Sequence, residues 1–74
     1  MKKRTVLHGV YIIRVEREEN SCAGKIDIQH MKTKHSIIVD VDNFGVFRQH
    51  DKENPGRKVV EKALNLYYIM GEVA

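Results

Sequence analysis

The stretch NPGRKVVEKALNLYYIMG, residues 54–71, decides the fold. Its apolar residues recur every three to four positions, which predicts one helix at about 55–70 with a broad apolar stripe. The stripe consists of Val59, Val60, Ala63, Leu64, Leu66, Tyr67 and Met70. Asn54 suits an N-cap, Pro55 suits the first helical position, and Gly71 is predicted to end the helix in a left-handed conformation. The rest of the chain must cover this stripe.

Upstream of the helix the sequence predicts strands, because Val, Ile and Tyr dominate its apolar positions. The predicted strands span about 5–17, 23–31 and 35–42, and residues 46–49 are a candidate for a short fourth strand. The first predicted strand carries apolar residues on both faces. Gly9 is predicted to mark a bend in it, since a glycine inside a strand often does so.

The second and third predicted strands alternate apolar and polar residues, which is typical of a sheet with one solvated face. The predicted core is Ile26, Ile28, Ile37, Val39, Val41, Leu64, Leu66 and Tyr67. The solvated face is predicted to carry Lys25, Asp27, Gln29, Ser36 and Asp40. Short connections favour antiparallel neighbours. The expected fold is therefore α+β: an antiparallel three- to four-stranded β-meander covered on one face by a single C-terminal helix, in one small domain of residues 1–74.

The net charge of +3 is unevenly distributed along the chain. Through residue 35 there are eight Lys or Arg against four Asp or Glu, and the remainder has five against six. An excess of positive charge in one half favours an anionic partner for that half.

Cysteine content and hydropathy point to a cytoplasmic location. Cys22 is the single cysteine, so no intrachain disulfide forms, which fits a reducing compartment. The start of the chain imitates a signal peptide, but His8 and Arg14 interrupt its apolar region. No apolar run approaches the roughly 20 residues that a transmembrane helix needs. We therefore expect no membrane association.

The residues that usually carry catalysis or bind metals form no recognisable motif. His8, His30, His35 and His50 lack the spacing of a metal site, and no cysteine pair accompanies them. There is no phosphate-cradling glycine loop and no catalytic triad. We therefore expect neither a metal, nor a cofactor, nor enzymatic activity.

Two groups of cations predict a small non-enzymatic nucleic-acid-binding or regulatory module. The basic N-terminal half and the basic helix start could contact the phosphates of DNA or RNA. The candidate residues are Lys2, Lys3, Arg4, Lys25, Lys32, Lys34, Arg57 and Lys58. The plainer interpretation is a solvated N-terminal end and an i, i+4 ion pair between Arg57 and Glu61. Asp27 and Asp40 on the predicted solvated face would repel phosphate.

The alternative function is a small protein-binding module, such as an inhibitor or adaptor, acting through a sheet edge or an apolar patch. The charge distribution on the folded surface distinguishes the two, because nucleic acid needs a continuous positive face. The two-sided apolar pattern of the first strand also predicts a homodimer through that strand.

Overall fold

The computed structural model describes residues 1–49 and 57–72. Five strands and one helix follow one another: β1 (Lys2–His8), β2 (Tyr11–Arg17), β3 (Gly24–His30), β4 (Ser36–Val41), β5 (Phe47–Gln49) and α1 (Arg57–Glu72). Each strand pairs antiparallel with the next, so the sheet order is β1-β2-β3-β4-β5. The α+β prediction is confirmed. The predicted count of three to four strands is wrong, because the sheet has five.

The extra strand arises because the segment 5–17 forms a hairpin and not one bent strand. Gly9 and Val10 are the two turn residues between the paired His8 and Tyr11. Gly9 has φ +61°, and a glycine at the first central position is what a type II′ turn requires. The twist of such a turn matches that of the paired strands. The basic residues at the N-terminus therefore belong to a strand.

The hairpin also explains the two-sided apolar pattern of this segment. Val6 lies opposite Ile13, and Leu7 lies opposite Ile12. The side chains of residues opposite one another in a sheet point to the same face. Val6 therefore shares a face with Ile13, although one residue number is even and the other is odd. The inner face, toward α1, takes Val6 and Ile13, and the outer face takes Leu7 and Ile12.

The core lies between the inner face and α1, which packs mainly on β2 and next on β3. Along α1 the buried residues are Val59, Ala63, Tyr67 and Met70. The sheet contributes Ile13, Val15, Ile26, Ile28, Ile37, Val39 and Val41. The predicted core is confirmed except at Leu64 and Leu66, which are only partly buried at its border.

The C-terminal end of α1 differs from the prediction. Gly71 does not end the helix in a left-handed conformation, because α1 continues to Glu72. Its lack of a side chain has another reason: a Cβ on Gly71 would overlap the guanidinium of Arg17. The predicted capping residues Asn54 and Pro55 lie outside the described residues.

Candidate interaction surface

The outer face of the sheet carries a row of alternating charges that crosses all five strands. Lys3 lies beside Glu16, Glu16 beside Lys25, Lys25 beside Asp40, and Asp40 beside Arg48. Neighbouring strands are about 4.8 Å apart, so each cation of the row stands next to a carboxylate. The Nζ atom of Lys3 is 4.0 Å from Oε1 of Glu16. The row is therefore a mixed-charge surface and not a positive one.

A second outer row contains another opposite-charge pair. Arg14 lies opposite Asp27, with Nη1 at 3.8 Å from Oδ2, and the same nitrogen donates to Oε1 of Gln29 at 3.4 Å. Partly exposed pairs of this kind contribute at most about 1 kcal/mol to stability. Their significance is electrostatic: together with Asp40, Asp27 places negative charge near the middle of the outer face.

Two of the predicted nucleic-acid contacts lie at opposite ends of α1. Lys2 donates from Nζ to the carbonyl oxygen of Met70 at 3.3 Å, where a cation favours the negative end of the helix dipole. Arg57 Nε is 3.0 Å from Glu61 Oε1, which is the ion pair that the sequence predicted. At a rise of about 1.5 Å per residue, Arg57 and Met70 are about 20 Å apart. Lys2 and the pair Arg57–Lys58 therefore do not converge.

The other predicted contacts are distributed between the β1 edge, the outer face and one turn. Lys3 and Lys25 belong to the charged row, whereas Arg4 lies on the inner-face side of β1, opposite Val15. Lys32 and Lys34 lie in the β3–β4 turn. The structure thus places the eight predicted residues at several separate sites.

Arg17 is not among the predicted site residues. Its Nη1 donates to the carbonyl oxygen of Tyr67 at 2.9 Å, and its guanidinium carbon lies 4.4 Å from the centre of the Tyr67 ring. The cation satisfies a carbonyl near the helix C-terminus and stacks on an aromatic face. Arg17 is therefore part of the packing between helix and sheet.

Tyr67 completes this junction. Its hydroxyl donates to the carbonyl oxygen of Cys22, and its ring packs edge-to-face against Phe47. Burial raises the pKa of the Tyr67 phenol above its usual value of 10.0, although the positive charge of Arg17 opposes that shift. The neutral, hydrogen-bonded phenol is part of the packing between α1 and the sheet.

The β1 strand lies at one edge of the sheet, and no described strand pairs with its outer side. Residue 10 accepts a bond from Met31 N at 2.8 Å, and Glu18 N donates to Ala23 O at 2.9 Å. Even-numbered residues along β2 therefore bond toward β3. Because backbone bonds alternate in direction along an antiparallel strand, the odd-numbered residues bond toward β1.

This alternation determines which β1 residues present an unpaired backbone. The β1 partners of the odd-numbered β2 residues are Lys2, Arg4, Val6 and His8. The N–H and C=O groups of Lys3, Thr5 and Leu7 consequently point outward from the sheet. A row of such groups is a template for another extended chain.

An apolar patch adjoins the C-terminal half of this edge. Leu7 is 68% exposed and stands beside Ile12 on the outer face. Val10 and Met31, joined by a backbone hydrogen bond, are also exposed at this end of the sheet. The edge therefore combines cations at its start with apolar side chains at its end.

Metal binding and membrane insertion find no support in the part of the chain that the structure describes. No group of three or more His, Cys, Asp or Glu residues is arranged to hold a metal ion there. His30 uses Nδ1 to accept the backbone N–H groups of Lys32 and Thr33, and so stabilises its turn. Within the same residues, no helix is long and apolar enough to cross a membrane.

Comparison of the chain with family models, with curated proteins and with solved structures finds no match. Function must therefore be inferred from the surface itself.

Proposed function

We propose that this chain is a small non-enzymatic protein-binding module that takes up an extended segment of a partner at the β1 edge. The observation that supports this proposal is the outward direction of the backbone groups of Lys3, Thr5 and Leu7, which follows from the pairing register. A strand added there gains main-chain hydrogen bonds without any rearrangement of the sheet.

The distribution of charge supports this function over nucleic-acid binding. Along the outer row each cation neighbours a carboxylate, and phosphate would meet Glu16, Asp27 and Asp40 as well as the lysines. Protein surfaces of mixed charge are suited to protein partners because complementary charges can be matched pair by pair.

The direct test is a selection of unstructured dodecamer peptides on the immobilised protein, followed by titration of the enriched sequences. Thr5→Pro removes an outward N–H and leaves the β1–β2 bonds intact, since proline is tolerated on the open side of an edge strand. Thr5→Val is the matched control that keeps the N–H. We expect peptides to bind wild type and Thr5→Val alike, and Thr5→Pro about tenfold more weakly.

Folding and location need separate checks in this experiment. Circular dichroism and thermal unfolding should show that both variants keep the native fold. Amide shifts on binding should concentrate on β1. Peptides that bind Thr5→Pro as well as wild type, or that shift residues away from β1, would contradict the proposal.

Nucleic acid is the second candidate, favoured by three adjacent cations, Lys2, Lys3 and Arg4, on one strand. Fluorescence anisotropy with mixed-sequence duplex and single-stranded DNA and RNA tests it. Binding tighter than about 100 μM, with a log–log salt slope near −0.9 per phosphate neutralised, would support this candidate. The protein-binding proposal expects no such binding.

A further inference from the structure

The β1 edge carries information about the side chains of its partner as well as about its backbone. This inference depends on the proposed function, because it concerns the segment that β1 would pair with. The relevant side chains are those of Lys3, Arg4, Val6 and Leu7, in that order along the strand.

The cations at the start of β1 favour carboxylates in the added strand. On the outer face, an added residue opposite Lys3 would extend the alternating row, which already places Glu16 on the other side of Lys3. On the inner-face side, an added residue would stand opposite the exposed Arg4. Opposite charges across neighbouring strands stabilise a sheet, and like charges destabilise it.

The end of β1 favours apolar residues in the same strand. Leu7 is exposed on the outer face beside Ile12, and Val6 is partly buried against the core. An apolar side chain opposite each of them would extend existing apolar surface. The added strand is therefore favoured when it carries acidic residues opposite the start of β1 and apolar residues opposite its end.

A second copy of β1 meets this requirement poorly. A two-fold axis through Thr5 pairs the strands antiparallel, and the register then sets Lys3 opposite Leu7 and Arg4 opposite Val6. Neither cation gains a carboxylate in that arrangement. The next allowed register toward the N-terminus brings Arg4 opposite its own copy, and the one after it brings Lys3 opposite Lys3, which are like-charge pairs.

We infer that the β1 edge binds an extended segment of a partner protein with two apolar residues, one spacer and two acidic residues, in that order from its N-terminus. Added antiparallel to β1, this segment places its carboxylates opposite Arg4 and Lys3 and its apolar side chains opposite Leu7 and Val6. The charge requirement excludes basic segments, which gives the edge selectivity as well as affinity.

The experiment uses the full chain and three labelled heptapeptides of sequence TVVTEET, TVVTQQT and TVVTKKT, titrated by fluorescence anisotropy at low salt. The acidic peptide should bind about tenfold more tightly than the basic one, with the neutral peptide between them. The double variant Lys3→Glu/Arg4→Glu should reverse this order. Raising the salt concentration should reduce the difference, because the charges are exposed.

The outcomes separate this inference from the proposed function. Equal binding of all three peptides, lost in Thr5→Pro and kept in Thr5→Val, would overturn the charge requirement and leave the edge as a strand-binding site. No binding of any peptide up to about 1 mM would overturn the inference, and the peptide selection would then decide the proposed function. Concentration-dependent self-association lost in Thr5→Pro would name a second copy as the occupant and overturn it as well.

Discussion

Arg17 joins the sheet to the end of the helix through one hydrogen bond and one aromatic contact. The bond reaches the carbonyl oxygen of Tyr67, fifty positions away in the sequence. Such a contact between distant segments restrains the helix relative to β2. It also explains why the inner face of a small sheet tolerates a partly buried cation at its border.

Replacing Arg17 tests this contact. Arg17→Ala should lower the free energy of unfolding by about 2 kcal/mol, since it removes a charged hydrogen bond and the cation–π contact. Arg17→Lys should recover less than half of that loss, because an ammonium group cannot stack as a planar guanidinium does. Arg14→Ala is the control, with an expected loss below about 1 kcal/mol. Urea denaturation measures all three, and equal losses for Arg17→Ala and Arg14→Ala would contradict this role.

Two glycines close to the same junction should differ in their tolerance of a methyl group. A Cβ on Gly24 would fall against the backbone oxygen of Glu16 and 2.7 Å from Cε2 of Tyr67. A Cβ on Gly71 would meet the guanidinium at the end of the Arg17 side chain. Gly24→Ala should therefore cost about 1 to 3 kcal/mol by overpacking.

Gly71→Ala should cost less, because the end of the Arg17 side chain can shift more easily than the backbone oxygen of Glu16, although the shift weakens the contacts of Arg17 with Tyr67. Within the helix, alanine also recovers up to about 1 kcal/mol of helix propensity relative to glycine. Thermal and urea unfolding of the two variants under identical conditions measure the difference. A larger loss for Gly71→Ala than for Gly24→Ala would show that the close approach at Gly24 is not rigid.

At the scale of elements, the β4–β5 turn depends on one ionised side chain. Asp42 accepts the N–H groups of Phe44 at 2.9 Å and Val46 at 3.1 Å through Oδ1, and its Oδ2 is 2.9 Å from Arg48 Nη2. The bond from Val46 is the main cause that holds the pKa of Asp42 below its usual value of 3.8, against an opposing effect of desolvation. The bond from Phe44 and the charge of Arg48 lower that pKa further.

This lowered pKa predicts the direction of a pH effect. The ionised carboxylate stabilises the folded state, so its contribution is complete above pH 3.8 and is lost as the pH falls through the lower pKa of the folded protein. Asp42→Asn removes the titration. The difference in unfolding free energy between wild type and Asp42→Asn should shrink as the pH is lowered from 6 toward 2. A difference that stays constant over this range would refute the assignment.

The strands and the helix that bury one face could be predicted from the sequence. Features that depend on strand pairing or tertiary packing could not. Ile26 and Ile28 alternate with polar residues, so β3 was recognisable from its own residues. The hairpin at Gly9 was missed because a glycine inside an apolar run is compatible with a bend as well as with a turn. The contact of Arg17 with Tyr67 depends on tertiary packing and has no local signal.

The same distinction applies to the candidate surface. Composition showed that the N-terminal half is basic, but the register decides that Lys3 and Lys25 stand beside Glu16. The alternation of hydrogen bonds in the β1–β2 and β2–β3 pairs determines which backbone groups of β1 point outward. This alternation cannot be read from any single residue. The cations were visible in the sequence, whereas their neighbours were not.

For the molecule as far as residues 1–49 and 57–72 describe it, the sheet has two edges, and β1 with seven residues is a longer edge than β5 with three. The helix covers the inner face, and the outer face is solvated, so the backbone of the edge is the clearest remaining opportunity for pairing. Binding at a strand edge requires no cavity. The backbone N–H and C=O groups of an edge strand already have the spacing needed to hydrogen-bond with a second strand.

Residue-resolved amide hydrogen exchange by NMR tests this account most directly, in the free protein and with the acidic heptapeptide at saturation. In the free protein, the amides of Lys3, Thr5 and Leu7 should exchange fast and those of Arg4, Val6 and His8 slowly, since only the second set bonds to β2. With the peptide bound, the fast set should become protected. Uniform protection along β1 in the free protein, or no gain of protection at Thr5 on binding, would contradict an open β1 edge that accepts a strand.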